Sequence, residues 1–502
     1  IFNTFRNPDK ETVLTPWRVV NMHLGDCLGG YKFYDETNSN ITEQPQYIDK
    51  GEVTKNVFNP ESRVLEINSK SGLYPLYVTY SIYRSRLAAE QALYDSELSQ
   101  EQKLELWDLT VRDNVFVICK TQMAKSITKR TLVGFRNAKV NTRYFEDLIN
   151  QITNKSQQFI EKVRNGKTYW KANNDEYMKF NAIVGNPPYQ VMDGGGKDTA
   201  ATPIYNKFVS IAKTISPSYL SMIIPARWYS GGRGLDEFRS EMLADKHIRE
   251  LYDFIDSRSC FPAVDIAGGV CYFLWDKSNK GTCLTTSIDK NNKKDTVSRN
   301  LNDYSIFIRQ SQAVSIIEKV RLHSNEFLDS WIYNSNPFGF RSFFDGKDVP
   351  FDNSIPLFTS RGYTYVSRSD INQNAELIDK WKVIVSKTSA EHAGQSDNEG
   401  KKRILSRVMT LPPGKISSET YLLIKCFDNG TEADNLLSYI KTKFFRFLLS
   451  TVLLTQNIAK DKFCFVPTQE LCKSWTDEEL YKKYDLSTEE ITFIESMIKP
   501  ME

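Results

Sequence analysis

Short apolar runs, each closed by turn residues, alternate with amphipathic stretches of helical length through the first part of the chain. Val64-Leu65-Glu66-Ile67, Val115-Phe116-Val117-Ile118, Phe180 to Gly185, Leu220 to Pro225, Ile248 to Ile255 and Gly269 to Trp275 have the composition of buried strands. Between them, Leu73 to Arg86, Met123 to Leu132, a stretch beginning near Pro203 and Leu235 to Met242 are predicted helices. Another amphipathic run follows Thr15-Pro16, through Val20, Leu24 and Leu28 to Gly29-Gly30. A hydroxyl before a proline is a good helix start, with Thr15 as the cap. Strands alternating with helices predict an α/β fold, an open and mostly parallel sheet covered on both faces. Ligands of such sheets bind beyond the carboxyl ends of the strands. Glu66, Cys119 and Asn186 are all expected at such ends.

After about residue 325 the pattern changes. Short aromatic and β-branched segments, such as Tyr363 to Val366 and Trp381 to Val385, mix with polar loops, the most polar being Ala390 to Lys402. A helical block follows from Thr431 to Ser450, carrying Lys441, Lys443 and Arg446. Thr476 and Ser487 each precede acids and read as helix caps. The expected division is 1–325, then 326–470, then a helical tail over 471–502. At 502 residues the chain is too long for one core. Its net charge of +3 means that any nucleic-acid surface must come from local clusters of Lys and Arg. The eight cysteines contain no C-x-x-C pair and the four histidines stand alone, so no metal site or disulfide framework is expected. That usage suits a reducing cytoplasm, and no apolar run approaches membrane-spanning length. The first residue is Ile1 rather than Met, as in a piece of a longer protein.

The densest chemistry lies at Asn186-Pro187-Pro188-Tyr189, which closes the apolar run from Phe180. The Asn amide oxygen and the first Pro carbonyl can both accept from an exocyclic amine, drawing electron density toward its nitrogen. Proline fixes φ and offers no competing N–H. The tyrosine can stack on the base that carries the amine.

This tetrapeptide resembles the (Asp/Asn/Ser)-Pro-Pro-(Tyr/Phe/Trp) motif of amino-methylating DNA methyltransferases, in the version typical of enzymes acting on adenine. The order of elements is similar to that of the γ-class adenine methyltransferases, closest to the large type II restriction–modification methylases. The resemblance implies a Rossmann-like class I methyltransferase domain followed by a mixed α/β target-recognition domain. It also implies S-adenosylmethionine as cofactor, no metal, double-stranded DNA as substrate, and a bacterial or archaeal cytoplasm. Asn186, Pro187, Pro188 and Tyr189 would form the catalytic motif, with Asn186 also reaching the cofactor. Thr15-Pro16 matches the family's opening Thr-Pro, which contacts the methionine end of the cofactor. Glu66 to Gly72 matches its acid-x-x-x-Gly-x-Gly loop, making Glu66, Asn68 and Gly72 cofactor contacts, but Lys70 stands where the first glycine belongs. Cys119 falls where the family carries the ribose-binding acid, and Asp147 is the candidate for adenine contact. Cys260-Phe261-Pro262 resembles the segment whose ring sandwiches the extruded base, so Phe261 would pair with Tyr189.

In the C-terminal part, Arg361, Arg368, Lys382, Lys387, Lys401, Lys402 and Arg403 interleave with Tyr363, Tyr365 and Trp381, a pattern suited to DNA. No Walker-type ATP loop or nuclease pattern accompanies them, so helicase or nuclease action would belong to a separate segment or subunit. Two other readings stay open: a non-catalytic DNA-recognition module descended from such an enzyme, prompted by Lys70 and Cys119, and a methyltransferase for RNA or protein glutamine.

Overall fold

The computed structural model describes residues 13–172, 177–191, 201–232, 234–391, 397, 400–453 and 456–501. The glycine-rich stretch from Asp193 to Lys197 lies outside them. Two compact units divide between Ser305 and Ile306.

The first unit opens with the helix Trp17–Cys27 and an antiparallel hairpin of β1 (Gly30–Tyr34) and β2 (Ile41–Ile48). Then come β3 (Val64–Ser69), β4 (Val115–Cys119), β5 (Asn141–Tyr144) and β6 (Ala182–Gly185), followed by the two-residue pair β7 (Gln190–Val191) and β8 (Thr202–Pro203). The unit ends with β9 (Tyr219–Pro225), β10 (Ile248–Phe254), β11 (Val270–Asp276), β12 (Cys283–Ile288) and β13 (Lys294–Arg299). Nine of these strands form one sheet in the order β13-β12-β10-β11-β9-β6-β3-β4-β5. From β9 through β5 every pairing is parallel, while β11 is inserted antiparallel between β9 and β10. Strands β3, β4, β6, β9 and β11 are buried along their whole length, which is why they read as continuous apolar runs. The helices Leu73–Gln91, Gln122–Val133, Tyr205–Ile215 and Asp236–Ala244 supply crossovers. This is a doubly wound, Rossmann-like α/β fold, the class expected from the alternation of strands and helices.

Two local expectations change. The strand predicted at 64–67 runs on to Ser69, so Glu66 lies mid-strand rather than at its end. Strand β5 escapes the hydrophobic pattern because Asn141-Thr142-Arg143-Tyr144 is polar. It forms by pairing with β4 at the sheet edge, where the Asn141 side-chain amide donates to the carbonyls of Arg112 and Val115.

The second unit contains two three-stranded sheets. One is β15-β14-β18 and the other β17-β16-β19, built from β14 (Ser354–Thr359), β15 (Gly362–Ser367), β16 (Trp381–Ser386), β17 (Val408–Leu411), β18 (Ile416–Ser417) and β19 (Tyr421–Phe427). The helical block is two helices, Gly430–Lys441 and Lys443–Ser450, broken at Thr442. Thr442 has extended backbone and caps the second helix by accepting from Phe445 N–H. Capping boxes at Thr476/Glu479 and Ser487/Glu490 start the helices Asp477–Lys483 and Thr488–Met497.

The expected boundary at 325 and the separate tail both give way to packing. The helix Ser311–His323 belongs to the second unit, where Lys319 pairs with Glu490 at 2.8 Å. Phe444 stacks on Tyr484 with ring centroids 5.0 Å apart, so the tail helices complete that unit's core. Local hydrophobic pattern registers where an element ends, not which core it joins.

Candidate functional site

The chain extends the sheet from β3 to one side through β4 and β5, then returns to build β6 and β9 on the other. The order therefore reverses between β3 and β6, and the crevice beyond their carboxyl ends is the natural ligand site. Register places Glu66 beside Val184, so Asn68 is level with Asn186. The Asn68 side-chain amide donates to the Asn186 carbonyl at 3.4 Å. Asn68 has φ 74°, a left-handed conformation that Asn tolerates better than most residues. Gly72 has φ 75°, and a Cβ there would lie 3.0 Å from the Thr128 Cα, so glycine is needed where the loop enters the next helix.

Some of the buried polar atoms without partners lie at this crevice. Among the described residues, Glu66 Oε2, Asn68 Oδ1, Asn186 Oδ1 and the Tyr189 hydroxyl have no hydrogen-bond partner. Native structures rarely leave such atoms unpaired without a reason, and a donor-bearing ligand is one. Burial pushes the Glu66 carboxyl up to about 8, against the opposing pull of Ser69 and Lys70. It is thus mostly protonated at neutral pH.

The segment Val13 to Thr15 lies over the motif. Asn186 Nδ2 donates to Thr15 Oγ1 at 2.9 Å and to the Val13 carbonyl at 3.3 Å. The Lys70 ammonium donates to that same carbonyl at 2.9 Å. Thr15 does not cap the helix as expected; Pro16 is the N-cap residue. The distance along the chain between Thr15 and Asn186 left no local signal for this contact.

The motif residues Asn186, Pro187, Pro188 and Tyr189 are all buried. Burial raises the Tyr189 phenol well above its ordinary value, against a smaller opposing pull from the Asn186 side chain. Other expected site residues lie differently. Cys119 does end β4, but it is fully buried with its sulfur 3.9 Å from the Thr128 hydroxyl. Burial first, then the neighbouring Glu66, pushes its thiol up to about 12. A carboxylate there would be buried beside another acid, so the position is a core site rather than a ribose acceptor. Asp147 is exposed and caps the helix Leu148–Asn154 by accepting from Asn150 N–H at 3.4 Å. Phe261 is 2% exposed, within the sheet core. A base clamp would require that ring to leave the core, so it is not a preformed wall.

The sequence pattern gives no hint of His23. Rather than standing alone, it is fully buried between the Tyr74 hydroxyl and Ser221 Oγ, each 2.8 Å from a ring nitrogen, and stacks on Tyr272. Burial lowers its pKa to about 3, so it stays neutral. Its partners are too far away in sequence to leave any motif.

In the second unit, Arg361, Arg368 and Arg403 are exposed. Arg361 pairs with Asp345, and Arg368 with Asp379 at 2.7 Å. Lys382 does not belong to a DNA surface. It is fully buried, and its ammonium donates to the carbonyls of Ile378 and Lys380 at 2.7 and 2.6 Å. Burial pulls it down to about 8. Lys387 is half-buried with its ammonium on the Ser335 carbonyl. Lys402 is partly buried, bridged through its backbone to the segment at Ile498, and burial draws its ammonium down to about 8. Lys401 is half-buried, its backbone N–H bonded to Asp397. The interleaving of basic and aromatic residues made Lys382 a candidate for DNA contact, but the sheet buries it. Among the described residues no cluster could hold a metal ion, and no helix is long and apolar enough to cross a membrane.

Comparison with known proteins bears on this crevice. A curated relative from Mycoplasma pneumoniae, described as an uncharacterized adenine-specific methylase, is 36% identical over 168 residues. The match covers 30% of this chain and spans 40% of that relative's length. Among solved structures, the type IIL restriction–modification enzyme MmeI in complex with DNA aligns at TM-score 0.45 and 10% identity, covering 80% of this chain and 61% of its own. A nuclease-deletion mutant of the type ISP enzyme LlaGI aligns at TM-score 0.44 and 10% identity, covering 90% of this chain and 46% of its own. Residues 113–261, from just before β4 through the Asn-Pro-Pro-Tyr turn to Phe261, match the Eco57I restriction–modification methylase model.

Proposed function

We propose that this chain methylates the exocyclic amine of adenine in double-stranded DNA, with S-adenosylmethionine as methyl donor, as the modification part of a restriction–modification or phage-defence system. The observation that carries the reading is the set of buried, unpaired polar atoms at the β3/β6 crevice, with Asn186 Oδ1 among them. An amine brought there finds an acceptor already desolvated and held by the fold, which suits stabilisation of the charge that develops during transfer. Asn186 Oδ1 and the Pro187 carbonyl take the two amine hydrogens, and the Tyr189 ring supports the base. A base inside a duplex is out of reach, so the target adenine must be extruded.

Glu66, Asn68, Gly72 and Thr15 fit the methionine end of the cofactor, whose amino group would donate to the orphaned acceptors. The ribose end has no matching carboxylate at Cys119, and Asp147 is turned to its helix cap. When bound, the cofactor supplies an electrophilic methyl group, and the protein supplies position and electrostatics. The second unit would recognise the target sequence, with exposed Arg361 and Arg368 exchanging surface carboxylates for phosphates and exposed Arg403 adding a third cation. Helicase or nuclease action would come from another segment or subunit, and the cytoplasm of a bacterium or archaeon is the compartment this function requires.

Glu66 gives a direct test. Its carboxyl is protonated at neutral pH, so a cationic ligand beside it should expel the proton. Cofactor affinity is therefore expected to rise with pH up to about 8 and level off above. Calorimetry at pH 7 in two buffers of different ionisation enthalpy should report about one proton released per cofactor bound. Glu66→Gln should abolish that release and weaken binding. The same substitution should stabilise the fold in alkali. With the folded pKa raised above the unfolded value, stability is fullest below about 4.5 and is lost as pH rises through about 8. A wild-type chain that neither binds the cofactor nor methylates adenine, with or without duplex DNA, would leave the non-catalytic recognition module as the reading.

A further inference from the structure

We infer that Lys70 is a positioning residue, acting through the Val13 carbonyl to fix which way the Asn186 amide faces. The inference rests on the methyltransferase reading above. An Asn side chain presents an acceptor on one side and a donor on the other, and nothing intrinsic to it selects between the two orientations. In this structure the selection comes from Val13. A backbone carbonyl only accepts, so the group that faces it at 3.3 Å must be the NH2. Thr15 Oγ1, 2.9 Å from the same nitrogen, is compatible with that choice but does not compel it, because a hydroxyl can donate or accept. With Nδ2 committed to this side, Oδ1 is left buried and unpaired on the other, where a substrate amine would need it.

The Val13 carbonyl can perform this role only while it is held in place. It lies before the first turn of the helix Trp17–Cys27 and outside that helix's hydrogen bonds. The Lys70 ammonium holds it at 2.9 Å, using a second lone pair of the same oxygen. The departure from the cofactor-loop pattern therefore has a physical use, since a glycine at position 70 would have no side chain to reach Val13. The link runs from the end of β3 through the opening segment to the turn after β6, three parts of the chain that the sheet brings together.

Burial raises the Glu66 carboxyl, and the charge of Lys70 is one of the smaller influences that oppose that rise. Two roles must then be separated, and steady-state kinetics does so. Loss of charge beside Glu66 acts on cofactor binding and appears in KM; loss of amide orientation acts on the chemical step and appears in kcat.

The experiment uses the full chain with duplex DNA and S-adenosylmethionine. Lys70→Met is expected to lower steady-state kcat about tenfold while changing the cofactor KM less than about threefold. Lys70→Arg, which can still reach the carbonyl, should recover most of the rate. Hydrogen exchange of the backbone amides of Leu14, Thr15, Trp17 and Arg18 should be faster in Lys70→Met than in wild type and near normal in Lys70→Arg. Wild-type kcat in Lys70→Met overturns the positioning role, as does a loss confined to KM. A wild-type chain that methylates no DNA would reject the activity itself; the exchange measurement then still decides whether Lys70 pins this segment, and unchanged exchange would reject that.

Discussion

Alanine at Asn186 is expected to lower the rate of methyl transfer by about 10²–10³ while leaving the fold and DNA affinity close to wild type. The side chain is buried at a turn, and its amide hydrogens are held by Thr15 and the Val13 carbonyl. Truncation leaves those two acceptors with one fewer donor, a modest structural loss of about 0.5–1.5 kcal/mol. The catalytic loss is larger because Oδ1 has no other partner and is already desolvated, so its bond to the amine strengthens as charge develops on nitrogen. Single-turnover methylation of a duplex, with cofactor and DNA affinities measured separately, checks both halves. An alanine variant as fast as wild type would remove Asn186 from the reaction.

The largest stability effect is expected at Arg446, in the second unit. Its guanidinium is fully buried, with no direct carboxylate partner among the described residues. Instead the fork donates to four carbonyls: Lys441 and Thr442 at the break between the two helices, Arg403 in the preceding loop, and Lys499 after the last helix. Burial lowers its pKa to about 10, and it remains charged at neutral pH. Arg446→Met keeps much of the volume but strands those carbonyls. We expect a loss of roughly 3–5 kcal/mol, the range for breaking a buried charged network on one side. Lysine should not restore it, because an ammonium cannot reproduce a planar fork spread over separate segments. Urea unfolding, with proteolysis of the tail as a second probe, tests this, and an unchanged midpoint would show that the fork is dispensable.

Much of the first unit is legible in the sequence. Buried strands such as β4 and β9 announce themselves because both faces need apolar side chains, and the Asn-Pro-Pro-Tyr turn does so because its chemistry is local. The capping boxes at Thr476 and Ser487 are legible for the same reason, since donor and acceptor lie three residues apart. The polar edge strand β5 is not, because its partner strand makes it a strand. Lys382 and Phe261 show the limit most plainly. Each has a residue type that suits a surface or a ligand, and each is enclosed by neighbours distant in sequence.

Sequence by itself determined the class of fold and the position of the Asn-Pro-Pro-Tyr turn, because hydrophobic periodicity and short motifs encode interactions within a few residues. Only the tertiary structure decided where the two units divide, and that Cys119, Phe261 and Lys382 are enclosed while Asp147 serves as a helix cap. It alone brought Lys70, Val13 and Asn186 into one hydrogen-bonded chain and left Asn186 Oδ1 without a partner. The physical reason is that burial and long-range hydrogen bonds depend on how the sheet is ordered, and the reversal between β3 and β6 is a property of the whole sheet rather than of any segment.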